Sequence, residues 1–468
     1  MQTWLMIISR LALAVALSAG LVAPTAFADP PPPQTEAKLL TRARERPADQ
    51  AANPEHAQRH ALVAPGLAQL LHPDREEDPR REAEVDPFLA GWAPARGAEL
   101  DVSITNRYGA RLHAHLSMPK TRAGRLPAII LLTGGAGSEH TYREMAHGLA
   151  EAGYLVLGLN VQGDNGSQEK PADPNPKTPQ NEYCEPGAWQ KPQEAGVRET
   201  GECAGVPTEP DITAEELRSL ALRDDFQPSV AYYDAVKARK FFGALDGVRW
   251  LLSADNPWRN RVDGKRIGIA GHSLGAHGAL LAANADPARR FRAAVTFDGF
   301  GRLAPTGLPS VPTLFQHQDL SDLPHLVNTD QLPGNQDAAE FAAARVPTGV
   351  VHLAGSTHQE WSYVPPGFSA GFAASRDGKR VALHYAVAWF DLWLKPGTQA
   401  DARRRLTAPT FSGSTDGSSR GEGPWDPATQ RTVSPRIGGE TTREHLSPLF
   451  RSWIAAPGAR CADLRAGC

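Results

Sequence analysis

Gly271-His272-Ser273-Leu274-Gly275 places a serine between two glycines at the corner between two unlike patterns. Before it runs the alternating apolar segment "RIGIAGH" (266–272); after it comes the alanine-rich helical pattern "GAHGALLAANA" (275–285). Such a strand-to-helix elbow is too tight for side chains at the flanking positions, which is the use of glycine there. The hydroxyl of Ser273 is lifted clear, and the helix start favours negative charge developing beside it. The chemistry of that arrangement is nucleophilic attack on a carbonyl.

A serine hydroxyl attacks only when a base takes its proton. Downstream, "VVHLAGSTHQEW" (350–361) offers His358 just past a strong strand pattern, while His352 lies inside the strand and reads as packing. The acid that orients the imidazole has two candidate places. Asp298 ends "AAVTFDGF"; Asp319 and Asp322 follow the next strand in "TLFQHQDLSD", and spacing alone separates neither from the other. Two backbone N–H groups must face the oxyanion. Leu274 supplies one, and the glycine-rich turn in "LLTGGAGSEH" (131–140) supplies the other, best from Gly135. The same turn has neither the Gly-Lys-Ser/Thr of a phosphate loop nor the acidic partner of a dinucleotide site, so no cofactor is expected.

The elements that must carry these residues alternate. "ELDVSITNRYGARLHAHLSMP" reads as a β-hairpin about Tyr108-Gly109. Strand patterns then fall at 126–135, 154–162, 266–272, 291–299, 311–318 and 348–355, with helical patterns near 139–152, 229–253, 275–285, 336–345 and 379–395. Apolar runs bounded by Gly and Pro and separated by helices imply an α/β fold with a mostly parallel sheet, helices on both faces and an N-terminal antiparallel hairpin. The count is about eight strands.

With these residues in place, the chain resembles the α/β-hydrolase superfamily across about residues 99–396. Gly-His-Ser-Leu-Gly, "FDGF" and "GSTHQEW" are similar to the elbow, aspartate loop and histidine loop of platelet-activating-factor acetylhydrolase-type and dienelactone-hydrolase-type esterases. That resemblance favours Asp298 as the acid over Asp319 or Asp322. Thr133-Gly134 stands where those families open the oxyanion loop with His-Gly.

The rest of the 468 residues is organised around that core. Residues 1–28 read as a secretory signal: Arg10, an apolar run Leu11 to Val22, and Ala26-Phe27-Ala28 before Asp29. A secreted or periplasmic protein without stable membrane insertion is expected. Residues 29–98 are a Pro/Ala/charged segment, 163–212 a cysteine-containing insertion at the active-site rim, and 397–468 a C-terminal extension in which "LSPLFRSWIAAP" suggests one short docked helix. The four cysteines pair most simply as Cys184 with Cys203 and Cys461 with Cys468. A net charge of −3 and the lack of basic runs with interleaved aromatics exclude nucleic acid as a partner. His272, His277, His317, His325 and His352 show no metal-ligand spacing, so no metal is expected; His140 reads as pocket wall, and "HYAVAWFDLWL" (384–394) as helix-to-sheet packing. The expected activity is ester hydrolysis through an acyl-enzyme on a small or lipid-like substrate. A peptidase or polyester hydrolase on the same fold is the enzymatic rival. A non-catalytic binding module is the rival of another class.

Overall fold

The computed structural model describes residues 97–107, 111–119, 124–134, 139–161, 231–299, 309–318, 345–354, 356, 358, 360–362, 378–411, 425–426, 431–432, 441–447 and 450–468. The leader 1–28, the segment from 29 to 96, the insertion 163–212 with Cys184 and Cys203, Gly135, Asp319, Asp322 and His325 lie outside these residues. So do the side chain of His140 and all but the last residue of the helix expected near 336–345.

The uninterrupted apolar runs become strands covered on both faces. β1 (Gly97–Thr105) and β2 (Arg111–Pro119) form the expected hairpin. β3 (Leu126–Leu132) and β4 (Leu155–Leu159) are buried throughout, and β5 (Val262–His272), β6 (Phe291–Phe297), β7 (Thr313–Gln318) and β8 (Thr348–Leu353) continue the series. β3 to β8 pair in parallel, while β2 joins β4 antiparallel. The order β1-β2-β4-β3-β5-β6-β7-β8 reverses direction at β3: the chain steps out to β4, then returns to the other side of β3 as β5. With right-handed crossovers, that reversal sends the connecting helices to opposite faces.

The helices obey this. α1 (Arg143–Glu151), between β3 and β4, packs on one face together with α4 (Gly378–Leu394). α2 (Ala231–Leu252) and α3 (Leu274–Ala285) pack on the other. The period-2 alternation of β3 divides its side chains accordingly. Ile129 and Leu131 meet the layer holding Met145, Leu149 and Phe390; Ile130 and Leu132 meet that of Leu245, Val248 and Ala279. Tyr385, Trp389 and Phe390 of "HYAVAWFDLWL" are buried, as packing residues should be. α5 (Gln399–Thr407) continues from α4.

The C-terminal extension departs from expectation. Two short strands, β9 (Trp425–Asp426) and β10 (Arg431–Thr432), pair apart from the main sheet. Within "LSPLFRSWIAAP" (446–457) Trp453–Ala456 forms β11, antiparallel to β8, where a helix was expected, and a helical turn lies before the segment at Thr442–His445. β12 (Ala459–Cys461) returns beside it. Among the described residues the sheet therefore has ten strands instead of about eight. The turn signal was Pro457-Gly458, with Gly458 at φ +72°, a conformation open to glycine. Trp453 and Ile454 favour a pleated, half-covered surface, and an open edge of β8 supplies the partner. Cys461 and Cys468 form the expected disulfide, closing the chain end onto this hairpin. Among the described residues no helix is long and apolar enough to cross a membrane.

Candidate active site

The reversal at β3 opens a crevice beyond the carboxyl ends of β3 and β5, where ligands bind in sheets of this kind. Leu132 and Gly271 are register partners, so the residues following each strand meet at that crevice. Ser273 follows β5 at φ 54°, ψ −122°, outside the regions L-residues ordinarily occupy, and α3 starts at the next residue. Such strain persists only where the surroundings fix it. Here a Cβ on Gly271 would stand 2.2 Å from the carbonyl oxygen of Gly275, and one on Gly275 would stand 2.2 Å from that of Thr133. Both obstacles are backbone. Gly275→Ala is therefore expected to push α3 from β3, costing at least about 2 kcal/mol by analogy with overpacked cores; a thermal melt of the variant matching the parent would refute that account of the elbow.

Asp298 and His358 come together. The Asp298 carboxylate follows β6, itself at φ 45°, and accepts a hydrogen bond from His358 Nδ1 at 2.5 Å. Gln318, at the end of β7, holds the same carboxylate through its backbone N–H at 3.2 Å and its Nε2 at 2.9 Å. Burial pushes the Asp298 carboxyl up, but the imidazoles of His317 and His358 outweigh it and hold it far below the usual range. It is therefore an anion at neutral pH. The loop after β8 is anchored beneath His358 by Ser356, whose hydroxyl donates to the Leu353 carbonyl at 2.6 Å. Trp361 completes the anchor: its Nε1 donates to Gln316 Oε1 at 3.0 Å, and its ring stacks on Phe297.

Next to the serine, His272 is sealed in. Burial first, and the nearby His358 second, push its pKa down to about 3, so the ring is neutral. Its Nε2 donates to the backbone carbonyl of His358 at 2.7 Å, and its Nδ1 accepts from the Tyr142 hydroxyl at 2.7 Å. That hydroxyl in turn accepts from Gly134 N–H at 2.9 Å. The chain Gly134–Tyr142–His272–His358 thus ties the glycine-rich turn, the elbow and the histidine loop into one unit. A Cβ on Gly134 would lie 3.2 Å from Ser273 Cβ, so turn and serine are in close approach. Leu274, as first residue of α3, carries an N–H that no helical carbonyl can take.

Three contributors escaped the sequence reading. Tyr142 and Trp361 gave no signal, because their partners are distant in sequence. Lys240 did give one: it sits on the buried stripe Lys240–Ala244–Val248–Leu251 of α2, where a charge is out of place. Its Nζ donates to Thr133 Oγ1 at 2.9 Å and to the Gly134 carbonyl at 3.3 Å, bracing the start of the turn after β3. His352 is fully buried in β8, stacked on His317 and Phe450, and held uncharged by burial.

No curated protein matches the chain. A family model does, and it describes the fold at large without reaching the narrower acetylhydrolase-type or dienelactone-hydrolase-type likeness. Residues 127–330 match that model, the alpha/beta hydrolase fold, and the chain adopts this generally hydrolytic fold.

Proposed function

We propose that the protein is a serine hydrolase of carboxylic esters, with Ser273 as nucleophile, His358 as base and Asp298 as the orienting acid. The observation that carries this reading is the 2.5 Å hydrogen bond from His358 Nδ1 to the buried Asp298 carboxylate, on a loop tied by a backbone contact to the elbow of Ser273. With Nδ1–H committed to Asp298, Nε2 is the nitrogen left to take a proton. Ser273 Oγ bonds to the ester carbonyl as its proton passes to Nε2, and the carbonyl oxygen gathers charge towards Leu274 and Gly135 N–H. Collapse expels the alcohol, which leaves with the proton from Nε2. Water then attacks the acyl-serine, giving a proton to Nε2; the bond between the acyl carbon and Ser273 Oγ breaks, Nε2 returns the proton to Oγ, and the acid is released.

The protein works outside the cytoplasm on this proposal, a reading supported by the leader-like residues 1–28 and by the Cys461–Cys468 bridge, since disulfides persist in oxidising compartments. A fluorophosphonate probe tests the assignment. Covalent labelling located at Ser273 by peptide mass, together with turnover of p-nitrophenyl esters, is the expected result. A folded protein that neither labels nor turns over esters is instead a binding module on this fold.

A further inference from the structure

The face of the β1–β2 hairpin beneath α1 is built from ionisable side chains where apolar packing would be expected. Glu99 and Asp101 alternate on β1, and His113 and His115 alternate on β2, with Asp101 paired to His115 in register. α1 and the turn before it set Glu139, Arg143 and His147 above them at four-residue intervals, one side of a helix. The opposite face of β2 is conventional: Leu112, Ala114 and Leu116 are buried in the layer of α2. Burying ionisable groups is commonly no better for stability than apolar packing of equal volume, so such a cluster invites a ligand.

Two imidazoles converge on one oxygen. His115 Nε2 stands 3.1 Å and His147 Nε2 2.8 Å from Glu99 Oε2, and the three atoms lie within 4.8 Å of one another. Ligands of a tetrahedral zinc, bound at about 2.0–2.1 Å, are roughly 3.3 Å apart, a spacing that each histidine reaches from the Glu99 oxygen by moving out a few tenths of an ångström. The second nitrogen of His115 is already used as zinc-binding histidines use theirs: Nδ1 donates to Asp101 Oδ1 at 2.7 Å, fixing the ring with Nε2 pointing at the site. His115 is buried while Glu99 and His147 retain partial exposure, which leaves a path from solvent.

We propose that Glu99, His115 and His147 bind a zinc ion that clamps the β1–β2 hairpin to α1. Two nitrogens and one carboxylate suit zinc, whereas calcium and magnesium want six or more oxygens. The neighbouring group of Asp101, His113 and Glu139 is not a second site. Arg143 already lies between its carboxylates, 3.4 Å from Asp101 Oδ1 and 3.5 Å from Glu139 Oε2. The site is separate from the elbow: β4 and β3 intervene between β2 and β5, about 14 Å at ordinary strand spacing.

The test reads metal content and melting temperature, so it succeeds or fails independently of hydrolysis. Full-length protein, stripped by a chelator and given zinc chloride, is expected to retain about one zinc per chain by elemental mass spectrometry after gel filtration, and to melt higher than the stripped protein. Calcium chloride should do neither. His147→Ala, and Glu99→Gln as a second variant of near-identical shape, should lose both zinc and the shift, with their metal-free melts reporting that the chains fold. Asp101→Asn should retain the site with affinity lowered about 10- to 100-fold in competition with a chromophoric chelator. His113→Ala should bind as the parent does. Failure of the parent to retain zinc, equal retention by His147→Ala and Glu99→Gln, or loss only in His113→Ala would each overturn the proposal.

Discussion

Replacement of Ser273 by alanine is expected to lower kcat on a soluble ester by about 10⁶-fold, the scale seen when a serine hydrolase loses its nucleophile. The geometry gives a reason to expect so large a value. The φ of 54° at Ser273 puts the hydroxyl in place at a conformational cost, in an elbow that closes only because Gly271 and Gly275 carry no Cβ. Alanine keeps the elbow, because the new residue still carries a Cβ where serine had one, and the fold should melt unchanged. His358→Ala should lose nearly as much. The informative variant is the double, Ser273→Ala with His358→Ala. Residues acting as one unit are strongly non-additive, so the double should be no slower than the worse single. Losses that multiply would show that the two side chains act separately, and the proposed triad would fall.

How legible such a unit was in the sequence depended on how local each part is. Ser273 is announced by its own neighbours, since a tight strand-to-helix turn writes its glycines within two residues of the serine. His358 became a candidate by position, just past the strand that becomes β8. Asp298 and Asp319 end consecutive strand patterns, and only the third dimension shows that Asp298 reaches His358. Tyr142 and His272, 130 residues apart, touch through two side-chain tips, a relation that no spacing encodes. The fold follows the same rule. β3 to β8 are runs of buried apolar residues and could be read singly, whereas β11 needs a partner edge on β8 before a four-residue segment beats a helix. The cluster of Glu99, His115 and His147 is the extreme case. "ELD", "HAH" and the four-residue spacing from Glu139 to His147 are each unremarkable, and only the hairpin register under α1 brings them together.

Asp298→Asn is expected to lower kcat about 10³–10⁴-fold at neutral pH, with Asp319→Asn close to the parent. Asparagine has the shape of aspartate, so the cause lies in which atoms donate. Gln318 presents two donors to the carboxylate, its backbone N–H and its Nε2. An amide whose oxygen stays at the Oδ1 position still accepts from the Gln318 N–H, and its NH₂ then stands at the Oδ2 position, facing His358 Nδ1. His358 Nδ1 must then accept, its proton moves to Nε2, and the nitrogen that should deprotonate Ser273 is blocked. The wrong tautomer, rather than a lost charge alone, gives the large effect. The charge itself has a separate signature in stability. Because the folded-state carboxyl is held far below its ordinary value by His317 and His358 despite burial, its contribution is present above the unfolded pKa, about 4, and is lost as pH falls through the depressed one. The gap in denaturant midpoint between parent and Asp298→Asn should thus be widest at neutral pH and narrow steadily below about pH 4. A kcat loss greater for Asp319→Asn than for Asp298→Asn would move the acid to the loop after β7. A gap that widens on acidification would show that Asp298 is not the anion this site requires.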